Sequence, residues 1–280
     1  MFFKKTYLIL FVIVLISGCG KAQKSPKKAS KKFDLILLKK EVLTQKYRLR
    51  KYAHVKTFYS RLAEPVTDLC IKENVPPAAV LAMAGLESGW NRGYVGLITG
   101  NILSLGARKG DKELPALNLP TPRRSGEVMF DSLEIVQYPN SSLIWKMRPK
   151  SLKKDYRPKN IAGTKYQLGY FKRHPKAEAK AQLQNISDFL NVFISHKSNI
   201  KAYKKARFTL DSLVLKHGKD ILLEEKTALL FVNAISGRPN TFNYRKTWPL
   251  KVSNILKNAG LADLTKQIYF EKRPFSQAWK

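Results

Sequence analysis

The sequence predicts a mainly α-helical fold, in which a helical body carries one long irregular insert with a small β-hairpin. Two observations support this prediction. Apolar residues recur at helical spacing before residue 91 and again after residue 175, whereas the segment between them holds many Gly and Pro residues and few helical periods. Hydrophobic residues make up 44% of the 280 residues, which is enough for a globular core.

The first 18 residues have the pattern of a secretory signal peptide, with Lys4 and Lys5 ahead of an apolar run that is too short to span a membrane comfortably. The string ISGC that ends at Cys19 resembles the bacterial lipobox, which implies cleavage before Cys19 and lipid on that cysteine. The next residues lack the aspartate associated with inner-membrane retention, so the resemblance implies the outer membrane, facing the periplasm. An ordinary signal peptide that ends near a cysteine is the alternative.

Residues 19 to 33 hold six lysines and form a low-complexity segment that cannot bury a core, so we expect a disordered basic tether there. The whole chain has a net charge of +32. A charge of this size predicts a polyanionic partner, such as anionic cell wall, anionic lipid or nucleic acid. No nucleic-acid recognition motif accompanies the charge, so we expect no specific nucleic acid.

Helical spacing predicts the remaining elements in order. An N-terminal helical extension is expected over residues 34 to 57, and the main domain over residues 58 to 270. A helix is predicted over residues 55 to 71, where Pro65 should cause a kink or open a second helix. Pro76 or Pro77 should open the next helix, which Ser88 and Gly89 end. Further helices are predicted around residues 186 to 194, 210 to 214, 229 to 235 and 248 to 256. Within the insert, strand-like runs at residues 127 to 130 and 133 to 138 suggest the hairpin.

Glu87 is the leading candidate for a catalytic acid. On a helix it shares an apolar face with Val80 and Ala84. Apolar surroundings favour the neutral carboxyl and raise its pKa, and the negative end of the helix dipole acts in the same direction. Glycoside cleavage requires a carboxyl that still holds its proton near neutral pH, because that proton passes to the leaving oxygen. The ordinary alternative is a solvated glutamate at a helix end.

The string AMAGLESGW, residues 82 to 90, resembles the catalytic helix of the bacterial glucosaminidases of the lysozyme superfamily, whose motif is A-x-x-E-S-x-W-G. Residues 100 to 106 and 185 to 207 are similar to later elements of this family, which includes the Bax-type and mannosyl-glycoprotein endo-β-N-acetylglucosaminidase-like proteins. The resemblance covers roughly residues 58 to 265. It implies a lysozyme-like α+β fold and a cofactor-free endo-β-N-acetylglucosaminidase that cleaves peptidoglycan strands, with Glu87 as general acid.

Inverting and retaining glycosidases use a second carboxylate across the sugar, and the resemblance places it on a hairpin after the catalytic helix. Glu113 and Glu127 are the first candidates, followed by Asp111, Asp131 and Glu134. The predicted substrate-binding residues are Trp90, Asn101, Tyr166 and Tyr170. Cys70 is expected to be a small core residue, and the four histidines show no metal-ligand spacing, so no metal is expected.

Two other functions remain open at this point. The first is a muramidase or lytic transglycosylase on the same fold, although the Gly-Leu-Met-Gln string of the transglycosylases does not occur in this sequence. The second is a non-catalytic lipoprotein that binds the cell wall.

Within the resemblance, Asn91 and Arg92 separate Trp90 from the glycine that usually follows it directly.

Overall fold

The computed structural model describes residues 46–129, 132–148, 151–158 and 169–280. The predicted signal peptide, Cys19, the tether and residues 34 to 45 of the predicted extension lie outside these ranges, as do Asp131 and Tyr166. The described part is mainly helical with a two-stranded antiparallel sheet, which confirms the predicted fold class. Every helix in it is too short or too polar to span a bilayer.

The structure assigns the following bounds in the described ranges. The α-helices are α1 (Ala53–Lys72), α2 (Pro77–Ser88), α3 (Tyr94–Thr99), α4 (Ser132–Ile135), α5 (Tyr170–Arg173), α6 (Pro175–Asp188), α7 (Lys201–His217), α8 (Glu225–Ala234), α9 (Trp248–Ala259), α10 (Leu261–Tyr269) and α11 (Phe275–Ala278). The strands are β1 (Leu117–Pro122) and β2 (Leu143–Arg148). Short 3-10 helices occupy Arg48–Lys51, Asn140–Ser142 and Lys219–Leu223, and a π-helical turn, Phe189–Phe193, follows α6.

Helix α2 forms the centre of the molecule, because α1, α8, α9 and α10 all pack against it. Its residues 78 to 84 are fully buried, which fits a sequence that is apolar all round. Pro77 begins the helix, and Gly89 ends it in the left-handed conformation that glycine adopts without penalty. The predicted start and end of this helix are therefore confirmed.

Pro65 lies inside α1, which runs unbroken from Ala53 to Lys72. The expectation that Pro65 could open a second helix was therefore wrong. The neighbouring residues Leu62, Ala63 and Val66 are fully buried in the core. Their packing outweighs the helix penalty of an internal proline, which is about 3 kcal/mol.

The small hairpin exists, but at other residues than predicted. Strands β1 and β2 pair antiparallel, with Leu117 opposite Arg148 and Pro122 opposite Leu143. Residues 127 to 129 lie in a loop, and the second predicted strand begins instead as helix α4. Strand β1, which contains Pro120 and Pro122, was not predicted. In a two-stranded sheet each strand has a free edge, where proline removes no ladder hydrogen bond.

The predicted helices of the C-terminal half are confirmed as α6 with its π turn, α7, α8 and α9. Helices α10 and α11 follow them and were not predicted. The core extends past residues 58 to 270 at both ends, because Val55 at the start and Phe275 and Trp279 at the end are buried in it. Cys70 is fully buried in the same core, as expected.

Candidate active site

Glu87 occupies the last turn of α2, where the backbone is tightly constrained. Gly89, Trp90 and Asn91 all have positive φ angles, and the Trp90 N–H donates to the Gly85 carbonyl oxygen at 2.9 Å. The Ser88 hydroxyl donates to the Ala84 carbonyl oxygen at 2.6 Å and accepts from the Asn91 N–H at 2.9 Å. These bonds fix the end of the helix, so the backbone that carries the Glu87 side chain is rigid.

The Glu87 carboxyl lies in largely desolvated surroundings. Burial raises its pKa, against the opposing effects of a hydrogen bond from Trp248 and of the positive charges of Lys153 and Arg245. The Trp248 indole Nε1–H donates to Glu87 Oε1 at 2.6 Å. The direction of the pKa shift is the one the sequence predicted for an acid on an apolar helix face.

Trp248 holds the Glu87 carboxyl from a separate element, at the first position of α9. The indole is 4% exposed and packs against the Phe242 ring, with 5.3 Å between the ring centroids. Phe242 in turn packs edge-on against Phe189 at 5.6 Å. From the sequence, Trp248 was predicted only to lie in a helix, and its contact with Glu87 was not predicted. The one sequence signal for such a contact is that a buried indole N–H generally has a hydrogen-bond acceptor.

Two cations from different parts of the chain act on the Glu87 carboxyl through their charges. Lys153 follows β2, and its ammonium donates to the Ser104 carbonyl oxygen at 2.5 Å. Burial lowers the pKa of Lys153, and the Glu87 charge acts against that shift. Arg245 comes from the loop before α9 and is exposed. Both cations stabilise the Glu87 carboxylate once its proton has left.

A cleft of about 220 Å³ opens beside Glu87. The residues that line it are Leu86, Glu87, Asn243, Arg245, Thr247, Trp248 and Lys251. Among the residues that the structure describes, Glu87 is the only carboxylate in this lining, and Arg245 and Lys251 make the cleft positively charged. Such a cleft is suited to an acidic or hydroxylated ligand that receives a proton from Glu87.

The candidates for a second carboxylate lie away from this lining. Asp111 is 3.1 Å from the Lys154 ammonium and accepts from the Arg108 N–H at 2.9 Å. Glu113 is half-buried, and its backbone forms an isolated bridge with Lys154. Glu127 and Glu134 are exposed on the insert. The structure therefore brings none of these four to Glu87, and Asp131 lies outside the described residues.

The predicted substrate-binding residues are also separate from the cleft. The Trp90 indole N–H donates to the hydroxyl of Tyr59 at 3.3 Å, and the ring meets His54 edge-on. Tyr170 packs against His174 with 4.5 Å between the ring centroids. Tyr166 lies outside the described residues.

Asn101 has a structural position rather than a place in a groove. It is 1% exposed, and its amide nitrogen donates to the carbonyl oxygens of Leu105 and Lys154 at 2.8 and 3.0 Å. Its amide oxygen accepts from the Leu105 N–H and from the Asn185 side chain at 2.8 and 2.9 Å. These four bonds use its donors and acceptors, so substrate has no group on Asn101 to bind.

No protein-family model, curated protein or solved structure matches this chain. In the described ranges, no three His, Cys, Asp or Glu side chains come together in a way that could hold a metal ion.

Proposed function

We propose that the chain is a peptidoglycan hydrolase in which Glu87 protonates the leaving oxygen of a glycosidic bond. One observation carries the proposal: the desolvated Glu87 carboxyl, with its pKa raised by burial, faces a cleft from the end of a rigid central helix. A raised pKa favours the protonated carboxyl, which is the form that a general acid requires.

The hydrogen bond from Trp248 determines which oxygen carries the proton. Oε1 accepts the indole N–H at 2.6 Å, so the proton of the neutral acid resides on Oε2. Oε2 then donates that proton to the glycosidic oxygen as the bond between that oxygen and the anomeric carbon breaks. In hydrolysis a water molecule attacks the anomeric carbon, and the proton that this water releases restores the Glu87 acid. The N–H of Trp248 and the charges of Lys153 and Arg245 stabilise the carboxylate that remains.

Cell-wall glycan is the proposed substrate. The net charge of +32 and the cationic cleft favour an acidic polymer. The resemblance of residues 82 to 90 to the glucosaminidases favours an endo-β-N-acetylglucosaminidase of the lysozyme superfamily. The lipobox-like string at Cys19 favours a lipoprotein on the outer membrane, facing the periplasm. Each of these assignments belongs to the proposal.

A second candidate is a lytic transglycosylase or muramidase on the same fold. The observation in its favour is that, among the described residues, Glu87 is the only carboxylate in the cleft lining. A transglycosylase needs no water activated by a second carboxylate, because the sugar's own hydroxyl attacks while one residue acts first as acid and then as base.

Digestion of purified sacculi separates these functions. After borohydride reduction, mass spectrometry identifies the new ends: reduced glucosamine for the glucosaminidase, reduced muramic acid for a muramidase, and an anhydro-muramic end for a transglycosylase. We expect reduced glucosamine ends. If no new ends form while the protein sediments with sacculi, the chain is a wall-binding protein and the proposed enzyme function is wrong.

Glu87→Gln tests the catalytic acid directly, because the amide keeps the size of the side chain and cannot donate an acidic proton. The expected loss in the rate of sacculus digestion is about 10²- to 10⁴-fold. Glu225→Gln is the matched control, since Glu225 is exposed at the start of α8. Circular dichroism checks that both variants fold. A folded Glu87→Gln variant with near-normal activity would remove Glu87 from the assigned role.

A further inference from the structure

Helix α7 exposes one continuous face that has no role in the proposed active site. Besides the exposed Ser212, six charged or apolar side chains lie on the outer side of this helix within an arc of about 120°, given the 3.6-residue period of the helix. They are Lys201, Lys204, Lys205, Phe208, Leu215 and Lys216, and all six are exposed. We call these six residues the α7 face.

Apolar side chains stand among the lysines of the α7 face. Phe208 is 54% exposed and Leu215 is 91% exposed. Leu230 of α8, 45% exposed, lines an adjoining cavity of about 920 Å³ together with Arg238. Single exposed apolar residues are ordinary, but a cluster of them bordered by charge marks an interaction surface.

The charge of the α7 face has a single sign. Asp211 is the only acidic residue of α7. It borders the face, about 20° outside the arc, and its carboxylate is 3.1 Å from Arg207 and 2.9 Å from His196. Among the described residues, no carboxylate lines the cavity beside Leu230 or the neighbouring groove over Phe208. In the part of the chain that the structure describes, none of the four lysines of the face takes part in a salt bridge. Their charges remain available to an external anion.

We propose that the α7 face binds the surface of an anionic phospholipid bilayer. Lysines beside the headgroups would contact the phosphates, while Phe208 and Leu215 enter the boundary between headgroups and acyl chains. Leu215 distinguishes a bilayer from nucleic acid or acidic glycan. Transfer of an aliphatic side chain from water into lipid is favourable, whereas a hydrated polymer has no comparable apolar site. The face would hold the folded domain against the membrane, independently of any lipid on Cys19.

The test places a polarity-sensitive dye on the face itself. The full chain with Cys19→Ser retains only Cys70, which is fully buried and whose pKa burial raises well above its ordinary value, so a maleimide dye attaches to an introduced cysteine. Leu215→Cys reports on the α7 face. Val136→Cys, at a position that is 76% exposed on the insert, is the matched control.

Vesicles of phosphatidylglycerol with phosphatidylcholine are compared with vesicles of phosphatidylcholine alone. We expect a blue shift of the dye at residue 215 on the anionic vesicles only, reversed by high salt, and no shift at residue 136. Sedimentation with anionic vesicles and no shift at residue 215 would overturn the proposal, since another segment would then be binding. Equal shifts at both positions would overturn it as well.

Charge variants test the lysines separately from the dye. Replacing Lys201, Lys205 and Lys216 by Gln should weaken binding to anionic vesicles by roughly fivefold per lysine and by about a hundredfold in total. A control variant replaces Lys56, Lys109 and Lys172, which are exposed elsewhere, so that the net charge falls equally. If both triple variants lose the same affinity, only the overall charge matters and the α7 face is not the binding surface.

Discussion

Glu87 differs from an ordinary surface glutamate in the groups that surround its carboxyl. It stands at the end of a buried helix, it accepts a hydrogen bond from an immobilised indole, and it lies near two cations. Burial favours the protonated carboxyl, and the other groups favour the carboxylate. The two effects have different uses, since the first keeps the proton for donation and the second stabilises the product of the donation.

Trp248→Phe should shift the pH profile of the enzyme in a defined direction. The indole N–H lowers the pKa of Glu87, so its removal raises that pKa further. Activity that needs protonated Glu87 is lost as the pH rises through its pKa, and the alkaline limb of the pH–rate profile should therefore move to higher pH. Rates of sacculus digestion across the pH range provide the measurement.

Trp90→Phe is the control for this experiment, because the Trp90 N–H donates to Tyr59 rather than to Glu87. The alkaline limb of the pH–rate profile of Trp90→Phe should lie at the same pH as that of the unaltered protein. A limb that moves to lower pH in Trp248→Phe would contradict the assigned role of the indole.

At the scale of elements, the insert and the helical body meet where Gly100 ends α3. Gly100 has a φ of +72°, and a Cβ placed on it would lie 2.5 Å from the Cβ of Ala181 in α6. The next residue, Asn101, forms the buried hydrogen bonds to Leu105 and Asn185. Glycine at position 100 is therefore required by backbone conformation and by close approach together.

Gly100→Ala should destabilise the fold more than Gly110→Ala. Both positions have a positive φ, so both variants carry backbone strain, but a Cβ at Gly110 meets nothing within 4 Å. The extra cost at Gly100 is the overpacking against Ala181, about 1–3 kcal/mol. Urea unfolding midpoints measure the difference. Equal midpoints would show that α6 moves aside at no cost.

At the scale of the whole molecule, the two ends of the described chain close on each other. The Arg50 guanidinium donates to the carbonyl oxygens of Ala259 and Gly260 at 2.9 and 3.1 Å, and to that of Ala278 at 3.2 Å. It also lies over the Trp279 ring, 4.9 Å from the centroid. Trp279 packs on Tyr59 of α1 with 5.6 Å between the ring centroids. The C-terminus is thus part of the core that supports α1 and α2.

Trp279→Ala should cost about 3–5 kcal/mol of unfolding free energy, because the indole is 5% exposed and its loss leaves a cavity against Tyr59. Phe270→Ala is the comparison, since Phe270 is 50% exposed and little packing is lost with it. Chemical denaturation of both variants measures the two changes. Similar costs for the two would mean that the C-terminal turn adds nothing to the core.

The sequence by itself determined the helices with strong apolar periodicity and the direction in which the pKa of Glu87 is shifted. The ends of α2 follow from Pro77 and Gly89, whose backbone preferences are local. The raised pKa of Glu87 could likewise be predicted, because helical spacing alone places it beside Val80 and Ala84. Local rules suffice wherever the deciding neighbours are a few residues away along the chain.

Only the tertiary structure decided the partners of Glu87, the course of α1 and the position of the hairpin. Trp248 lies 161 residues after Glu87, and no periodicity in the sequence relates the two. Packing against α2 keeps α1 helical across Pro65. The prolines of β1 are tolerated because each strand of a two-stranded sheet has a free edge. Asn101 shows the same limit, since the four bonds that bury it come from residues 4, 53 and 84 positions away. These features depend on contacts between distant segments, which form only when the chain has folded.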